Sequence, residues 1–284
     1  MQIGFIGLGR MGRTMAERLI SQGIDLVVWN RSPTKAEGLR ADVASSPLDL
    51  AARTPVVVLN LFDSSAVRSV LEGENGLLAA DLSGKLIVDT TTNHFSEVLD
   101  FHRSVASRGG QYLEAPVLGS INQAIFGTLT VLASGDEAAF ERAMPLLQRI
   151  GKAIFYLKDP GLATRMKLVN NLVLGSFMAT IAEALVFGEE IGIERSQVLD
   201  ILSFGAGNSG VLTSKRDRLM KDDFSPQFSS ALIHKDLHYL QDLARSLNRP
   251  LFTGSVVKEL YALTFCRGVE KEDFSALYRV LKDL

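Results

Sequence analysis

The sequence predicts an α/β protein: a doubly wound parallel sheet in an N-terminal domain, followed by an all-α domain. Short apolar runs alternate with helical patterns as far as Leu157, and no strand pattern follows it. From Met166 to Phe187 the chain has no proline, and apolar residues recur every three or four positions, which predicts one long helix. We therefore predict two domains, residues 1–161 and 162–284, joined by this helix at the start of the second.

The amino-acid composition limits the partners, cofactors and cellular setting that we expect. Hydrophobic residues make up 46% of the 284 residues and charged residues 22%, as in an ordinary soluble protein. A net charge of -2 gives no basic surface for nucleic acid or an anionic membrane. A single cysteine, Cys266, excludes an intrachain disulfide and favours a reducing, cytoplasmic setting without a metal site. The most apolar window, Leu168 to Gly188, contains Asn170, Asn171 and Glu183, which argues against a membrane span.

The first predicted strand, Gln2–Gly7, runs directly into a glycine motif. The motif is followed by a predicted helix, Arg13–Gln22, and a second strand, Leu26–Trp29. This order is typical of dinucleotide binding, in which glycines allow a tight turn, a close approach of the backbone to the pyrophosphate, and close packing of helix on strand. The alternative is a glycine-rich turn that only packs. The motif residues are Gly7, Leu8, Gly9, Arg10, Met11 and Gly12.

The end of the second strand bears on the choice of cofactor. Enzymes that use NAD usually carry an acidic residue there, which accepts a hydrogen bond from the ribose 2′-hydroxyl. This chain has Asn30, Arg31, Ser32 and Thr34 instead, so no carboxylate would repel a 2′-phosphate. Arg31 can pair with that phosphate, and we predict a preference for NADPH over NADH. The alternative is that Arg31 is an ordinary solvated side chain.

Strands and helices continue to alternate up to residue 157. The Thr-rich turn Thr90–Asn93 follows the carboxyl end of the strand Leu86–Asp89, where ligands bind in such sheets. Its threonines also suit the N-cap of the next helix. The other predicted strands are Pro55–Asn60, Gln111–Ala115, Thr128–Ala133 and Ala153–Leu157, and the helices are Ala66–Leu71, Phe95–Arg108 and Glu137–Arg149.

The long helix carries polar residues on one face near its start. Lys167 and Asn171 lie four residues apart, and Gly175 continues their face one turn later. On an otherwise apolar helix this pattern indicates the floor of a site, although Lys167 can equally extend to solvent. Later helices are predicted at Arg195–Leu202, Val211–Lys221, Ser230–Leu247, Gly254–Cys266 and Asp273–Leu284.

Taken together, these segments resemble the β-hydroxyacid dehydrogenase family, whose members include 3-hydroxyisobutyrate dehydrogenase and the glyoxylate/succinic semialdehyde reductases. The resemblance spans the whole chain and is closest to the semialdehyde reductase branch. It rests on the segments Gly4–Gly12, Glu114–Leu129, Met166–Asn171, Lys235–Leu237 and Glu272–Ala276, with Phe228 at the position of an aromatic near the nicotinamide.

The resemblance implies a Rossmann domain, a helical domain, a cleft between them, and homodimers or homotetramers. It implies that Lys167 is a catalytic general acid/base and that Asn171 is a catalytic residue that orients either Lys167 or the substrate. Substrate-binding residues are expected to be Thr92, Leu118, Gly119, Ser120, Asn171 and Lys235. Cofactor-binding residues are expected to be Gly7, Leu8, Gly9, Arg10, Met11, Gly12, Asn30, Arg31, Ser32, Leu61, Thr92, Phe228 and Lys235.

The sequence departs from the family pattern in the substrate loop. The family usually has serine where this chain has Leu118, and Leu118 cannot donate a hydrogen bond to a carboxylate, although Ser120 can take over that role. One lost bond to a charged group costs about 1.5–3 kcal/mol. A less polar or larger substrate is therefore also compatible with this loop.

We expect an NADPH-dependent reductase of small aldehyde acids such as succinic semialdehyde or glyoxylate. Three alternatives are a 3-hydroxyisobutyrate-type dehydrogenase that works oxidatively, an imine or neutral carbonyl reductase favoured by Leu118, and a non-catalytic dinucleotide-binding module. Lys167 argues against the imine reductases, which usually replace it. The joint presence of Lys167, Asn171 and the loop argues against the non-catalytic module.

Overall fold

A computed structural model describes residues 2–284, and its contacts divide the chain into two compact units, Met1–Lys167 and Leu168–Leu284. The division falls inside one continuous helix, α7, which spans Leu162–Glu190. The domain boundary at Gly161 that the sequence indicates stays a prediction.

The first unit contains a nine-stranded sheet in the order β3-β2-β1-β4-β5-β6-β8-β7, with β9 paired to β8. The strands from β1 to β6 pair in parallel, β8 runs antiparallel to β6 and β7, and β9 is parallel to β8. The strands are β1 Ile3–Ile6, β2 Leu26–Trp29, β3 Asp42–Val43, β4 Val56–Leu59, β5 Leu86–Asp89, β6 Gln111–Glu114, β7 Val117–Leu118, β8 Leu129–Gly135 and β9 Gly151–Tyr156.

A hydrophobic core lies on each face of this sheet, and successive side chains of one strand point into different cores. Phe5 packs in one hydrophobic core and Ile6 in the other, and both are fully buried. The predicted doubly wound sheet is confirmed. The helices of this unit are α1 Arg10–Ser21, α2 Pro47–Arg53, α3 Ser64–Glu72, α4 Glu97–Ala106, α5 Ile121–Phe126 and α6 Glu137–Ile150, with 3-10 turns at Pro33–Ala36 and Leu77–Ala79.

The sequence analysis missed the short elements β3, α2, β7 and α5. These elements have two to seven residues, which is too short for periodicity to separate them from loop. Local chemistry explains α2, where Pro47 begins the helix and the Ser46 side chain accepts a hydrogen bond from the Asp49 amide.

The second unit is helical, and within residues 168–284 the structure has only one isolated β-bridge, between Ser229 and Asp273. The predicted all-α region is confirmed. After α7 come α8 Arg195–Phe204, α9 Gly210–Met220, α10 Ser230–Ser246, α11 Phe252–Cys266, a 3-10 turn Phe274–Ala276 and α12 Leu277–Lys282. The predicted helix from Asp273 is wrong in its first residues, because the Asp273 carboxylate accepts a hydrogen bond from the Ser275 amide and shapes a 3-10 turn.

Helix α7 is long and apolar enough to cross a membrane by length and composition. Of its most apolar window, 44% is buried inside the structure, and a buried core helix meets the same criterion. This observation is weak evidence for a span, and the absence of a membrane partner stays a prediction.

One buried ion pair organises the C-terminal part of the second unit. Lys215 Nζ lies 2.8 Å from Asp273 Oδ1 and 2.9 Å from Oδ2, and both residues are buried. Asp273 also accepts hydrogen bonds from the Gln227 amide at 3.0 Å and the Ser275 hydroxyl at 2.7 Å. Burial raises the pKa of Asp273, but Lys215 and the hydrogen bonds outweigh it and hold that pKa below its usual value. The pair therefore ties α9 to the chain before α10 and before α12.

We predict that Asp273→Asn lowers the free energy of unfolding by about 3–5 kcal/mol, because it leaves the Lys215 ammonium buried without a counter-charge. Chemical denaturation followed by circular dichroism measures this change. Asp217→Asn is the matched control, since the Asp217 side chain is 82% exposed and pairs with the neighbouring Arg216 side chain. Equal stability of the two variants would contradict the assignment.

Candidate active site

The glycine motif forms the turn between β1 and α1. Gly7 has a φ of 99°, and a Cβ there would lie 2.2 Å from the Asn60 carbonyl oxygen. A Cβ on Gly12 would lie 2.0 Å from the Gly7 carbonyl oxygen. Neither position tolerates a side chain, so the first and third glycines of the motif supply the tight turn and the close packing.

The second glycine leaves the start of α1 accessible. A Cβ on Gly9 would meet nothing within 4 Å, and no side chain caps this helix N-terminus. The first N–H groups of a helix lack partners within it and favour an anion. These residues therefore fit the pyrophosphate of a dinucleotide, and Arg10 and Met11 stand in the first turn of the helix.

Asn30 shapes the glycine loop from the end of β2. Its Oδ1 accepts a hydrogen bond from the Leu8 amide at 2.8 Å, and its Nδ2 donates to the Ser32 carbonyl oxygen at 3.0 Å. The side-chain amide therefore bridges two loops. Both contacts lie within the protein, and sequence spacing alone did not indicate them.

Arg31 and Ser32 are exposed at the same edge of the sheet. Residues 30–34 contain no carboxylate that would repel a phosphate. An exposed arginine and hydroxyl beside the glycine loop fit a 2′-phosphate.

The Asp89 carboxylate fixes the Thr-rich turn after β5 by hydrogen bonds. This carboxylate is buried and accepts hydrogen bonds from the Tyr112 hydroxyl at 2.5 Å, Asn93 Nδ2 at 2.7 Å and the Thr91 amide at 2.8 Å. Burial raises the pKa of Asp89, although the three hydrogen bonds oppose that rise. Thr92 lies inside the turn that these bonds fix.

The same turn is tied to the loop after β4. The Leu61 amide donates to Thr91 Oγ1 at 3.0 Å, and Asn60 Nδ2 donates to Thr90 Oγ1 at 2.9 Å. Leu61 also approaches the glycine loop, because a Cβ on Gly7 would lie 2.9 Å from its Cδ2. The structure therefore brings together the glycine motif, Leu61 and the Thr92 turn at the carboxyl ends of β1, β4 and β5.

The predicted substrate loop begins on a short strand. Leu118 pairs with Thr130 of β8, and Gly119 follows with a φ of 128°. Ser120 donates hydrogen bonds to Gln123 Oε1 from its amide at 3.0 Å and from its hydroxyl at 2.6 Å. The hydroxyl proton of Ser120 is thus used within the loop, which weakens the idea that Ser120 replaces the missing donor at Leu118.

Lys167 contacts this loop from helix α7. Its Nζ donates a hydrogen bond of 2.8 Å to the carbonyl oxygen of Val117, the residue before Leu118. The alternative in which Lys167 simply extends to solvent does not match this contact. A cationic donor is therefore held next to the residues expected to bind substrate.

In the second unit, Asp236 joins two of the predicted residues. Its buried carboxylate accepts a hydrogen bond from Asn171 Nδ2 at 2.6 Å and one from Lys235 Nζ at 2.7 Å. The Lys235 ammonium also lies 4.6 Å from the centre of the Tyr239 ring. Close approach of α7 to α10 permits this, because a Cβ on Gly175 would lie 3.2 Å from Ile233 Cγ1.

Phe228 is placed by the buried ion pair described above. Its amide donates to Asp273 Oδ2 at 3.2 Å, and its ring packs edge-on against Phe274 with centroids 5.8 Å apart. The resemblance gave a role to the Phe228 ring but gave no reason for its position.

Three buried carboxylates, Asp89, Glu114 and Asp236, lie in segments that were named from the sequence but were given no role there. The available signal was a single acidic residue in an apolar pattern. Asp89 and Glu114 each end a buried strand, and Asp236 falls on the apolar face of α10. Within residues 2–284, no group of three or more His, Cys, Asp or Glu residues is placed to hold a metal ion.

Two family models cover most of the chain. Residues 2–157 match the NAD-binding domain of 6-phosphogluconate dehydrogenase. Residues 161–281 match the NAD-binding model of NADP-dependent 3-hydroxyisobutyrate dehydrogenase.

Individual relatives agree with these models. The chain is 34% identical to glyoxylate/succinic semialdehyde reductase 2 of Arabidopsis thaliana, over 99% of this chain and 80% of that protein. It is 33% identical to 2-(hydroxymethyl)glutarate dehydrogenase of Eubacterium barkeri, over 100% of this chain and 96% of that protein. A solved structure of Psf3 in complex with NADP+ and 2-OPP superposes with a TM-score of 0.90 and 27% identity, over 98% of this chain and 99% of that one.

The two family models together match nearly the whole chain, and the two relatives are 33–34% identical over 99–100% of it. The chain belongs to the β-hydroxyacid dehydrogenase family and is an NAD(P)-dependent oxidoreductase that acts on CH–OH groups.

Proposed function

We propose that this protein is an NADPH-dependent reductase of small aldehyde acids, such as succinic semialdehyde or glyoxylate, with Lys167 as the general acid. The observation that carries the proposal is the hydrogen bond from Lys167 Nζ to the Val117 carbonyl oxygen, which directs the side chain to the substrate loop. The resemblance of Met166–Asn171 to the catalytic segment of the family supports the same assignment.

In this proposal the bound nicotinamide supplies the hydride for the carbonyl carbon. The Lys167 ammonium hydrogen-bonds the carbonyl oxygen, stabilises the negative charge that develops there, and gives up one proton to form the hydroxyl group. In the oxidative direction neutral Lys167 removes that proton. Asn171 acts as the second polar group on the same helix, and the Asp236 carboxylate fixes the direction of its amide.

The preference for NADPH rests on the end of β2. Arg31 and Ser32 are exposed there, and no carboxylate in residues 30–34 opposes a 2′-phosphate. Arginine binds phosphate with two parallel hydrogen bonds, and these have no counterpart on the ribose of NADH.

A second candidate is reduction of an uncharged carbonyl or an imine. Leu118 offers no hydrogen bond, and the Ser120 hydroxyl already donates to Gln123. The substrate loop therefore offers fewer side-chain donors than the family pattern, which favours an uncharged substrate. Oxidation of a 3-hydroxyisobutyrate-type acid remains the alternative for the direction of the reaction.

We also propose a cytoplasmic homodimer or homotetramer that has a small molecule, rather than nucleic acid or a membrane, as its partner. Several large apolar side chains of the second unit are strongly exposed, as is typical of an interface between subunits. They include Phe187, Ile191, Phe204 and Phe252.

Lys167→Ala tests the acid/base role. We predict that turnover falls by about 10²–10⁴-fold, because proton transfer loses its donor. NADPH binding, measured by the fluorescence of the reduced nicotinamide, should stay within about twofold, because Lys167 is not among the predicted cofactor contacts. Lys152→Ala, at an exposed position, is the control. Turnover near that of the wild type would remove Lys167 from the chemistry.

Arg31→Ala tests the choice of cofactor. The KM for NADPH should rise about tenfold or more while the KM for NADH changes little, because the lost charge-assisted contact is worth about 1.5–3 kcal/mol. Arg40→Ala, another exposed arginine, should leave both constants unchanged. Asn30→Asp is a less clean test, since the Asn30 amide also holds Ser32. Equal responses to the two cofactors would show that the 2′-phosphate binds elsewhere.

Leu118→Ser tests the substrate class. NADPH oxidation is followed with succinic semialdehyde, glyoxylate, an uncharged aldehyde of similar length and a cyclic imine. The proposal predicts that the wild type prefers the acids and that the variant improves their kcat/KM about tenfold, as one added bond to a carboxylate implies. If the wild-type enzyme prefers the uncharged aldehyde or the imine, the result favours the second candidate function, reduction of an uncharged carbonyl or an imine.

A further inference from the structure

We propose that Glu114 is a positioning residue that seats the first turn of helix α7, so that the Lys167 ammonium meets the Val117 carbonyl oxygen. The inference rests on the proposed role of Lys167 and extends it to a residue of the neighbouring strand. Glu114 is the last residue of β6 and is 1% exposed.

The Glu114 carboxylate accepts hydrogen bonds from two sides. Oε2 accepts from the Thr164 amide at 3.1 Å and from the Thr164 hydroxyl at 2.6 Å. Oε1 accepts from the Gly161 amide and from His102 Nε2, the latter at 3.1 Å. Three of these four donors belong to the start of α7, and the fourth comes from α4.

These contacts meet a need of the helix. The first N–H groups of any helix have no partner within it, and a negative charge is favourable at this end. The Ala163 amide is likewise satisfied by the buried Ser134 hydroxyl at 3.1 Å. The sheet thus supplies acceptors for the amides of Gly161, Ala163 and Thr164, and the helix start is fixed against it.

Glu114 is suited to this role because it carries a charge. Burial raises its pKa, but hydrogen bonds from His102, Thr164 and Gly161 outweigh that effect and hold the pKa below its usual value. The group is therefore a carboxylate at neutral pH, and a carboxylate accepts from several donors at once.

The Glu114–Thr164 hydrogen bond and the Lys167–Val117 hydrogen bond join the same two segments of the chain. Glu114 binds Thr164, and three residues later in each segment Val117 accepts from Lys167. Release of the first contact lets the helix start shift, and the Lys167 ammonium shifts with it. A misplacement of about 1 Å at a reacting group costs about 10²-fold in rate.

Glu114→Gln tests this inference, because the amide keeps the shape of the side chain but loses acceptors at one end. We predict that kcat falls about 10–100-fold, while the KM for NADPH stays within about twofold. Lys167 should also be acetylated several times faster by acetic anhydride, as read by mass spectrometry of the Lys167 peptide. This second readout does not depend on what Lys167 does in the reaction.

Glu189→Gln is the matched control at the other end of α7. Glu189 accepts from the Tyr278 hydroxyl at 2.5 Å, Arg195 Nε at 2.9 Å and Lys282 Nζ at 3.0 Å. Its loss should lower the melting temperature without changing kcat or the acetylation of Lys167. If Glu114→Gln does not fold, Thr164→Val removes one donor and should produce smaller changes in the same direction.

Several outcomes overturn the inference. Unchanged acetylation of Lys167 in folded Glu114→Gln means that the carboxylate does not seat the lysine. Faster acetylation with wild-type kcat, or equal losses of kcat in the Glu114 and Glu189 variants, removes the link to catalysis. An active Lys167→Ala enzyme refutes the proposed function instead, and the acetylation result then still decides whether Glu114 seats the helix.

Discussion

The start of helix α7 is the point on which the first unit depends, because there a buried carboxylate meets N–H groups that have no partner within the helix. Glu114 provides that carboxylate from β6, and His102 of α4 forms a hydrogen bond with it. One turn later Lys167 reaches Val117. A lysine has a long flexible side chain, so the position of its ammonium is well defined only if the backbone of that residue is fixed. The hydrogen bonds of Glu114 supply that fixed point.

Buried carboxylates that accept several hydrogen bonds also fix other segments of the chain. Asp89 holds the Thr-rich turn, Asp236 holds Asn171 and Lys235, and Asp273 holds the loop of Phe228. A buried carboxylate that lacks partners is very costly, so each of these groups exists only together with the donors that satisfy it. These hydrogen bonds join the chain segments that surround each carboxylate. Thr92 and Phe228 lie on two of these segments, whereas Asn171 and Lys235 lie on helices α7 and α10. Hydrogen bonds of this kind hold binding groups in place before a ligand arrives.

Periodicity and the glycine motif predicted the sheet, the long helix and the helical region, since each depends on patterns within about 20 residues. The short strand β7 was missed because it is defined by pairing with β8. Helix α5 was missed although Ser120 and Gln123 form a capping box, a signal that is present in the sequence. The glycine motif, the residues after β2 and the helix face of Lys167 and Asn171 were predicted from local patterns, and the other site residues from the resemblance, but the groups that hold them were not. Asn30 illustrates the reason: its bond to the Leu8 amide joins residues 22 positions apart, and no local pattern encodes such a contact.

The most direct test of the account is a double isotope experiment on the reduction of succinic semialdehyde. Initial rates are compared for NADPH and for NADPH deuterated at the transferred position, each in water and in deuterium oxide. If the Lys167 ammonium donates its proton as the hydride arrives, both substitutions slow the reaction, and the solvent effect persists with the deuterated cofactor. A clear effect of the deuterated cofactor with no solvent effect would contradict the account, because hydride transfer would then proceed without a proton in flight.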